Sequence, residues 1–368
     1  MSLKFSAEDH AHMAEALRLA ELGLETTTPN PRVGCVVVRD GKIVGRGWHK
    51  RAGANHAEVE ALRSAGAMTV GATVYVTLEP CRHHGRTPPC TEALLAAGVR
   101  RVLAAAVDPD PRNAGMGLEQ LMSAGLEVQS GLMRVWSERL NCGFVKRNLG
   151  HLPWVRLKVA GSTDGRTALA NGQSRWITGA AARRDVHRWR ARSCAVLTGS
   201  GTALADDPQL DVRAVACTRQ PLRILVDSRL RVPRTARLFS GLPIVVAHVC
   251  EHVEPEPIGN PGSAVYWRLP DEHGHVALKP LLHRLAEIGI NELLVEAGPV
   301  LSGALIRQSL VDEVLIYTAP ILLGAAAQGM LDLGRLIGLG EGPRLDVVDV
   351  RFIGQDLRIQ AYPRSRSM

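Results

Sequence analysis

Short runs of aliphatic and β-branched residues alternate with helix-like stretches along nearly the whole chain, and this alternation sets the class of fold. In the first half the predicted strands are VGCVVV (33–38), KIVGRGW (42–48), ATVYVTL (72–78) and RVLAAAV (101–107). Asp40-Gly41 separates the first two, a strong hairpin signal. Helices are predicted from a capping box at Ser6-x-x-Asp9 to about 23, and over about 56–65, 87–98 and 117–125. In the second half strands are predicted at 155–160, 194–199, 223–227, 243–249, 292–298 and 313–319, with helices at about 179–190, 276–288 and 299–309. RLDVVDVRFIGQDLRIQAY (344–362) reads as two antiparallel strands about Gly354-Gln355-Asp356. The fold class is therefore α/β, with a largely parallel core sheet after the first hairpin. A chain of 368 residues suits two domains. The polar, Gly- and Pro-punctuated stretch 142–154 puts the boundary near 148, giving domains 1–148 and 149–368.

The formal charge is +8, spread along the chain rather than blocked. Such a balance suits an anionic small molecule, a nucleotide cofactor or nucleic acid, or simply a basic soluble protein. The start, MSLKFSAEDHAHM, has no apolar stretch after its lysine, which argues against a signal peptide. The longest apolar run, near 314–327, is broken by Pro320 and Gly324, so no membrane span is expected. Seven cysteines, an odd number in a long chain, read as reduced thiols in a cytoplasm.

The densest chemistry lies in NHAE (55–58) and TLEPCRHHGRTPPC (77–90). Asn55 is read as an N-cap, with His56 and Glu58 in the first helical turn. Cys81 follows a strand end, and Cys90 opens a helix after Pro88-Pro89. Helix N-termini favour thiolates. One imidazole and two thiolates give zinc three protein ligands and leave a fourth place open for water, the pattern of a catalytic rather than a structural site. Glu58 is then the proton shuttle. Zinc nucleobase deaminases carry the arrangement H-x-E…P-C-x-x-C; here eight residues, not two, separate the cysteines. His83 and His84 lie between them, as substrate-mouth residues or solvated ones. Cys35, Cys142, Cys194, Cys217 and Cys250 have no ligand spacing.

TPNPRVGCVVV (28–38), NHAEVEAL (55–62) and TLEPCRHHGRTPPC closely resemble the deaminase half of the bifunctional riboflavin-biosynthesis deaminase/reductases. KVAGSTDGRTA (158–168), SRWITG (174–179), LADDPQLDVR (204–213), VDS (226–228) and VEAGPVLSGALI (295–306) resemble the reductase half, in the family's order. The wide cysteine spacing fits that family's own pattern. The resemblance implies a cytidine-deaminase-like α/β/α domain followed by a dihydrofolate-reductase-like α/β domain. It implies zinc-dependent deamination of a diamino-ribosylamino-pyrimidinone 5′-phosphate, then NADPH-dependent reduction of the ribosyl group to ribityl. Zinc would fall to His56, Cys81 and Cys90, and Asn30 would orient the pyrimidine. Ala160, Trp176, Thr202, Asp206, Ser228, Gly298, Pro299, Val300, Leu301, Ser302, Gly303 and Ala304 match positions near the cofactor. Ser174, Arg190, Leu210, Arg213 and Glu296 match positions around the substrate. Relatives are often homo-oligomers, and the expectation leans that way.

Read physically, the second half has no G-x-G-x-x-G after a strand, so a Rossmann site is not supported. Gly298-Pro299, between a strand and a helix, would offer bare N–H groups to a phosphate, or would be only a tight turn. Arg190 and Arg213 would clamp a sugar phosphate or stay solvated. Trp176 would stack on a ring or pack in a core. Lys158 would meet the substrate or cap a sheet edge. Ser228 or Arg229 would meet the 2′-phosphate that separates NADPH from NADH. Two rival readings stand beside the enzyme: a nucleic-acid deaminase and a zinc-stabilised binding protein without turnover. Scarce aromatics (4%) and unclustered basic residues count against nucleic acid.

Overall fold

Strands buried on both faces need helices on both faces, and three strands of the first unit are of that kind. The computed structural model describes residues 5–85, 87–251 and 263–364. It divides into units Met1–His151 and Leu152–Met368. In the first unit, β1 (Gly34–Arg39), β2 (Lys42–Trp48), β3 (Thr73–Leu78), β4 (Arg101–Ala106) and β5 (Glu127–Ser130) form one sheet in the order β2-β1-β3-β4-β5. The β1–β2 hairpin turns at Asp40 and Gly41, both at positive φ, and β3, β4 and β5 run parallel. The helices are α1 (Ala7–Glu21), α2 (Ala57–Ala65), α3 (Cys90–Ala96), α4 (Met116–Ser123), α5 (Arg134–Leu140) and α6 (Cys142–Gly150). Ser6 and Asp9 form the expected capping box on α1.

Alternate residues of the strands feed two cores. Val36 and Val38 pack with Met13, Ala16 and Leu17 of α1. Cys35 and Val37 pack with Ala57, Ala61 and Ala65 of α2, Leu94 of α3 and Leu121 of α4. On that second face α2 lies almost on the backbone of β2: a Cβ on Gly47 would come within 2.3 Å of the Ala57 carbonyl oxygen. The absence of a side chain at Gly47 thus sets the height of the α2 N-terminus above the sheet.

The second unit carries a nine-stranded sheet. Its strands are β6 (Trp154–Ser162), β8 (Ala195–Gly199), β9 (Leu222–Val226), β10 (Ile244–His248), β11 (Ala264–Arg268), β12 (Glu292–Val295), β13 (Glu313–Ala319), β15 (Leu345–Ile353) and β16 (Asp356–Pro363), while β7 (Arg166–Ala168) and β14 (Gln328–Gly329) pair separately. The order is β11-β10-β9-β8-β12-β6-β13-β16-β15. All neighbours from β11 to β13 are parallel, and β13, β16 and β15 are antiparallel. The helices are α7 (Ala180–Arg192), α8 (Ser200–Asp206), α9 (Leu278–Glu287) and α10 (Pro299–Arg307). Alternation again splits the core. Leu197, Ile224, Leu293 and Val295 face α9 and α10, whereas Val196, Leu225 and Leu294 face the opposite layer. No helix among the described residues is long and apolar enough to cross a membrane.

Candidate active sites

α2 begins at Ala57, not at His56. His56 is itself the N-cap, with an extended backbone (φ −74°, ψ 161°). Asn55, expected in that role, is committed elsewhere. Its amide donates to Glu60 Oε1 (2.8 Å), and its carbonyl accepts from His49 Nδ1 (2.9 Å). The imidazole of His56 meets two thiols: its Nδ1 lies 3.2 Å from Cys90 Sγ and 3.5 Å from Cys81 Sγ. Donor atoms of His56, Cys81 and Cys90 lie within 4.8 Å of one another, and His83 and His84 are not in that set. The loop between the cysteines includes Arg86, which lies outside the described residues.

The electrostatics suit a dication. The backbone N–H of Cys90, at the start of α3, donates to Cys81 Sγ (3.4 Å). The Cys90 thiol and that N–H hold Cys81 well below the usual thiol range, while its neighbour Cys81 and burial push Cys90 up. Two thiols that share a proton in this way both ionise on a cation, and a His–Cys–Cys set has the donor chemistry of zinc. The residues therefore fit the metal. Glu58 is buried beside them, and burial raises its carboxyl to about 7. Cys35 is a fully buried core thiol on β1. Asn30 Nδ2 is 3.1 Å from Nε2 of the buried His49, whose ring meets that of His56 edge-on with centroids 5.3 Å apart.

In the second unit most of the matched residues lie at or beyond the carboxyl ends of the parallel strands, where ligands bind in open α/β sheets. Ala160 is near the end of β6, Thr202 in α8 after β8, Ser228 after β9, and Glu296 and Gly298 after β12. Arg190, from α7, is largely buried and grips Glu296 in a two-pronged pair (Nε–Oε1 2.6 Å, Nη2–Oε2 3.0 Å). Its fork is thus held by a carboxylate, while Arg213 is half exposed and paired with Asp211. Ser174 Oγ lies 3.4 Å from Asp206 Oδ1. Leu210 is buried at positive φ.

The run 298–304 divides. Gly298 is the N-cap of α10, Pro299 its first residue, and Val300 is exposed. A Cβ on Gly298 would sit 3.4 Å from Thr202 Oγ1, so the turns after β8 and β12 are neighbours. Leu301 and Ala304 pack on the core, Ser302 donates to the Ala297 carbonyl, and Gly303 is pressed against the Asp332 carbonyl. Ser228 Oγ accepts from the Val276 N–H (3.3 Å). A glycine N-cap beside a hydroxyl, at the ligand end of the sheet, fits a phosphate-bearing dinucleotide.

Two of the structural alternatives fall away. Trp176 is 68% exposed, with the Arg183 guanidinium 4.4 Å from its ring centroid, so it is not a core residue. Lys158 lies on β6, between β12 and β13, so it caps no sheet edge. Burial pushes its ammonium below the usual lysine value, against the pull of Glu296. Sequence reasoning missed His49 and His187. The i, i+3 spacing of His187 and Arg190 on one helix was a usable signal; His49 had none. The imidazole of His187 accepts from the Arg213 N–H (3.3 Å), and burial, Arg190 and Arg213 push it down to about 4.

Comparison with known proteins follows these two units. Residues 6–106 match the cytidine and deoxycytidylate deaminase zinc-binding region, and residues 153–359 match the RibD C-terminal domain. Riboflavin biosynthesis protein RibD of Escherichia coli (strain K12) is 46% identical over 366 residues, covering 95% of this chain and 98% of that protein. Its Haemophilus influenzae counterpart is 45% identical over 376 residues, covering 98% and 99%. Among solved structures, Acinetobacter baumannii RibD superposes with a TM-score of 0.88 at 42% identity, covering 97% of this chain and 99% of that one. A Thermotoga maritima diaminohydroxyphosphoribosylaminopyrimidine deaminase/5-amino-6-(5-phosphoribosylamino)uracil reductase gives 0.87 at 32% identity over the same shares. The fold is a cytidine-deaminase-like domain followed by a dihydrofolate-reductase-like one.

Proposed function

This chain belongs to the RibD family of riboflavin biosynthesis proteins, and from that membership we propose how its own residues divide the family's two reactions. It is a bifunctional enzyme, a zinc-type deaminase and a reductase. The substrate is the diamino-ribosylamino-pyrimidinone 5′-phosphate. Its 2-amino group is hydrolysed first, and its ribosyl group is then reduced to ribityl. The observation that carries the reading is the His56–Cys81–Cys90 cluster with buried Glu58 beside it.

Zinc held by His56, Cys81 and Cys90 would supply Lewis acidity that makes water a nucleophile near neutral pH. Glu58 takes the proton of the attacking water on its carboxylate and hands it to the departing amine. His49 shapes recognition. Its Nδ1–H donates to the Asn55 carbonyl, so its Nε2 accepts from the Asn30 amide N–H. That assignment leaves Asn30 Oδ1 to accept from an N–H on the pyrimidine edge.

In the second unit NADPH would supply the hydride. Reduction also consumes a proton, and the half-buried Lys158 ammonium, within the field of the Glu296 carboxylate, is the donor we assign. Arg190 holds Glu296 in place, and the more exposed Arg213 meets the sugar phosphate. Ser174 and Leu210 complete the substrate side. Ala160, Trp176, Thr202, Asp206, Ser228 and the opening of α10 from Gly298 to Ala304 form the cofactor side. Within that opening, Leu301, Ser302, Gly303 and Ala304 shape the turn from behind, because they are turned into the fold.

Two broader expectations belong to the same reading. The seven cysteines are thiols rather than disulfide halves, in keeping with the cytoplasmic setting we propose. The sheet edge β15 exposes Val347, Val350 and Phe352, which supports a homo-oligomer through the second unit.

The test is Glu58→Gln. It keeps all three ligands, so zinc content stays at the wild-type level. Deamination falls by about 10²–10⁴-fold, and reduction of already deaminated substrate is unchanged. Full deamination in the zinc-loaded variant would falsify the role of Glu58.

A further inference from the structure

Cys81 sits in a loop with no secondary structure of its own, and something must hold it for the metal. The carboxylate of Glu79, two residues earlier, is buried and accepts four backbone N–H groups. Oε2 takes those of Asp108 (3.0 Å) and Gly115 (2.8 Å); Oε1 takes those of Gly117 (2.8 Å) and Leu118 (3.4 Å). These donors span the strap that leaves β4 and enters α4. The strap returns the contact. A Cβ on Gly117 would come within 2.2 Å of the Pro80 carbonyl oxygen, so the strap backbone rests directly on the loop. Asn113, fully buried in the strap, brackets Cys81 on both sides: Nδ2 donates to the Pro80 carbonyl (3.3 Å), and Oδ1 accepts from the Arg82 N–H (3.0 Å).

We propose that Glu79 and Asn113 form a clamp that fixes Cys81 for the metal, making them positioning residues of the deaminase half. The inference rests on the zinc reading above. Neither side chain is a ligand. Glu79 organises the strap by satisfying its N–H groups, and Asn113 transmits that order to the two peptide groups flanking Cys81. Without the clamp the loop samples positions in which Sγ leaves His56 Nδ1 and Cys90 Sγ, and the metal escapes faster.

The geometry says which changes matter. Glu79→Gln conserves shape but turns one acceptor oxygen into an NH₂ group. That group must face a pair of N–H donors on one side or the other, so half of the clamp opens. Asn113→Ala leaves all four Glu79 bonds in place and removes the bracket on Cys81, together with one longer bond from Asn113 Nδ2 to Asp108 Oδ2 (3.4 Å).

The measurement is the rate at which the full-length, zinc-loaded protein gives up zinc to an excess of a chromogenic chelator. It is made at a temperature where circular dichroism shows each variant folded, with the NADPH-dependent reduction as an internal control on the other unit. Both variants should release zinc about 10–100-fold faster than wild type, the range typical of groups that orient metal ligands, with reduction unchanged. A variant that melts earlier yet releases zinc at the wild-type rate would mean the clamp serves stability alone, and the proposal would be wrong. If Glu79→Gln does not fold, Asn113→Ala decides by the same criterion. A wild-type protein that takes up no zinc would overturn the metal reading and this inference with it; wild-type uptake with unaltered release in the variants overturns this inference only.

Discussion

Glu58, Lys158 and His187 are three titratable side chains whose environments push them off their ordinary values in different ways. His187 yields the cleanest consequence. The fold holds its imidazole near 4, against about 6.5 in an unfolded chain. A lowered imidazole value means the native state prefers it neutral, so below about 6.5 the unfolded state binds more protons. Stability should therefore fall as pH drops from about 6.5 toward 4, and His187→Asn should flatten that slope between about 6.5 and 5 in urea unfolding. An unchanged slope would assign the loss to other groups. At this scale the sequence showed what is local. His56 and Glu58 are two apart, and the Pro80-Cys81 and Cys90 turns announce themselves. Lys158 stayed ambiguous because its meaning depends on which strands flank β6. His49 carried no signal, since its partner Asn30 lies before β1 and meets it only through the β1–β2 hairpin.

Strongly patterned elements were legible in advance, even short ones such as β12, and weakly patterned ones were not. β13 and the β15–β16 hairpin read directly from their alternation and the Gly354 turn. β5 has four residues, EVQS, with little apolar signal, and exists because it pairs with β4. α6 lies in the stretch 142–154 read as polar punctuation, and α5, just before it, has no expected element. They are held by a distant contact: the Asn141 side chain pairs with the backbone of Arg32 through both its oxygen (2.8 Å) and its nitrogen (2.9 Å). Element-scale reasoning also yields a test of assembly. Among the described residues β15 pairs on one side only, and Val350 and Phe352, on one face, are 54% and 76% exposed. Sedimentation of the wild type should show an oligomer, and the double substitution Val350→Lys/Phe352→Lys should shift it toward monomer with both units folded. A wild-type monomer would remove the assembly reading.

At the scale of the molecule, the two units carry two chemistries on one pyrimidine. The α/β layering of both followed from alternation alone. The topology of the second did not: β12 inserts between β8 and β6, a crossover that no local pattern encodes. That insertion brings the Gly298 turn beside Thr202 and Glu296 beside Arg190, so the reductase site was named in sequence only by resemblance. The deaminase site, built from neighbouring turns, was derivable from its residues. The most direct test of the whole account is mass spectrometry of the diamino-pyrimidinone 5′-phosphate after incubation with the zinc-loaded protein, with NADPH present or omitted. Without NADPH the product should show an amine replaced by oxygen and nothing more. With NADPH it should also gain two hydrogens. An unchanged substrate in both tubes, with zinc bound, would contradict the account.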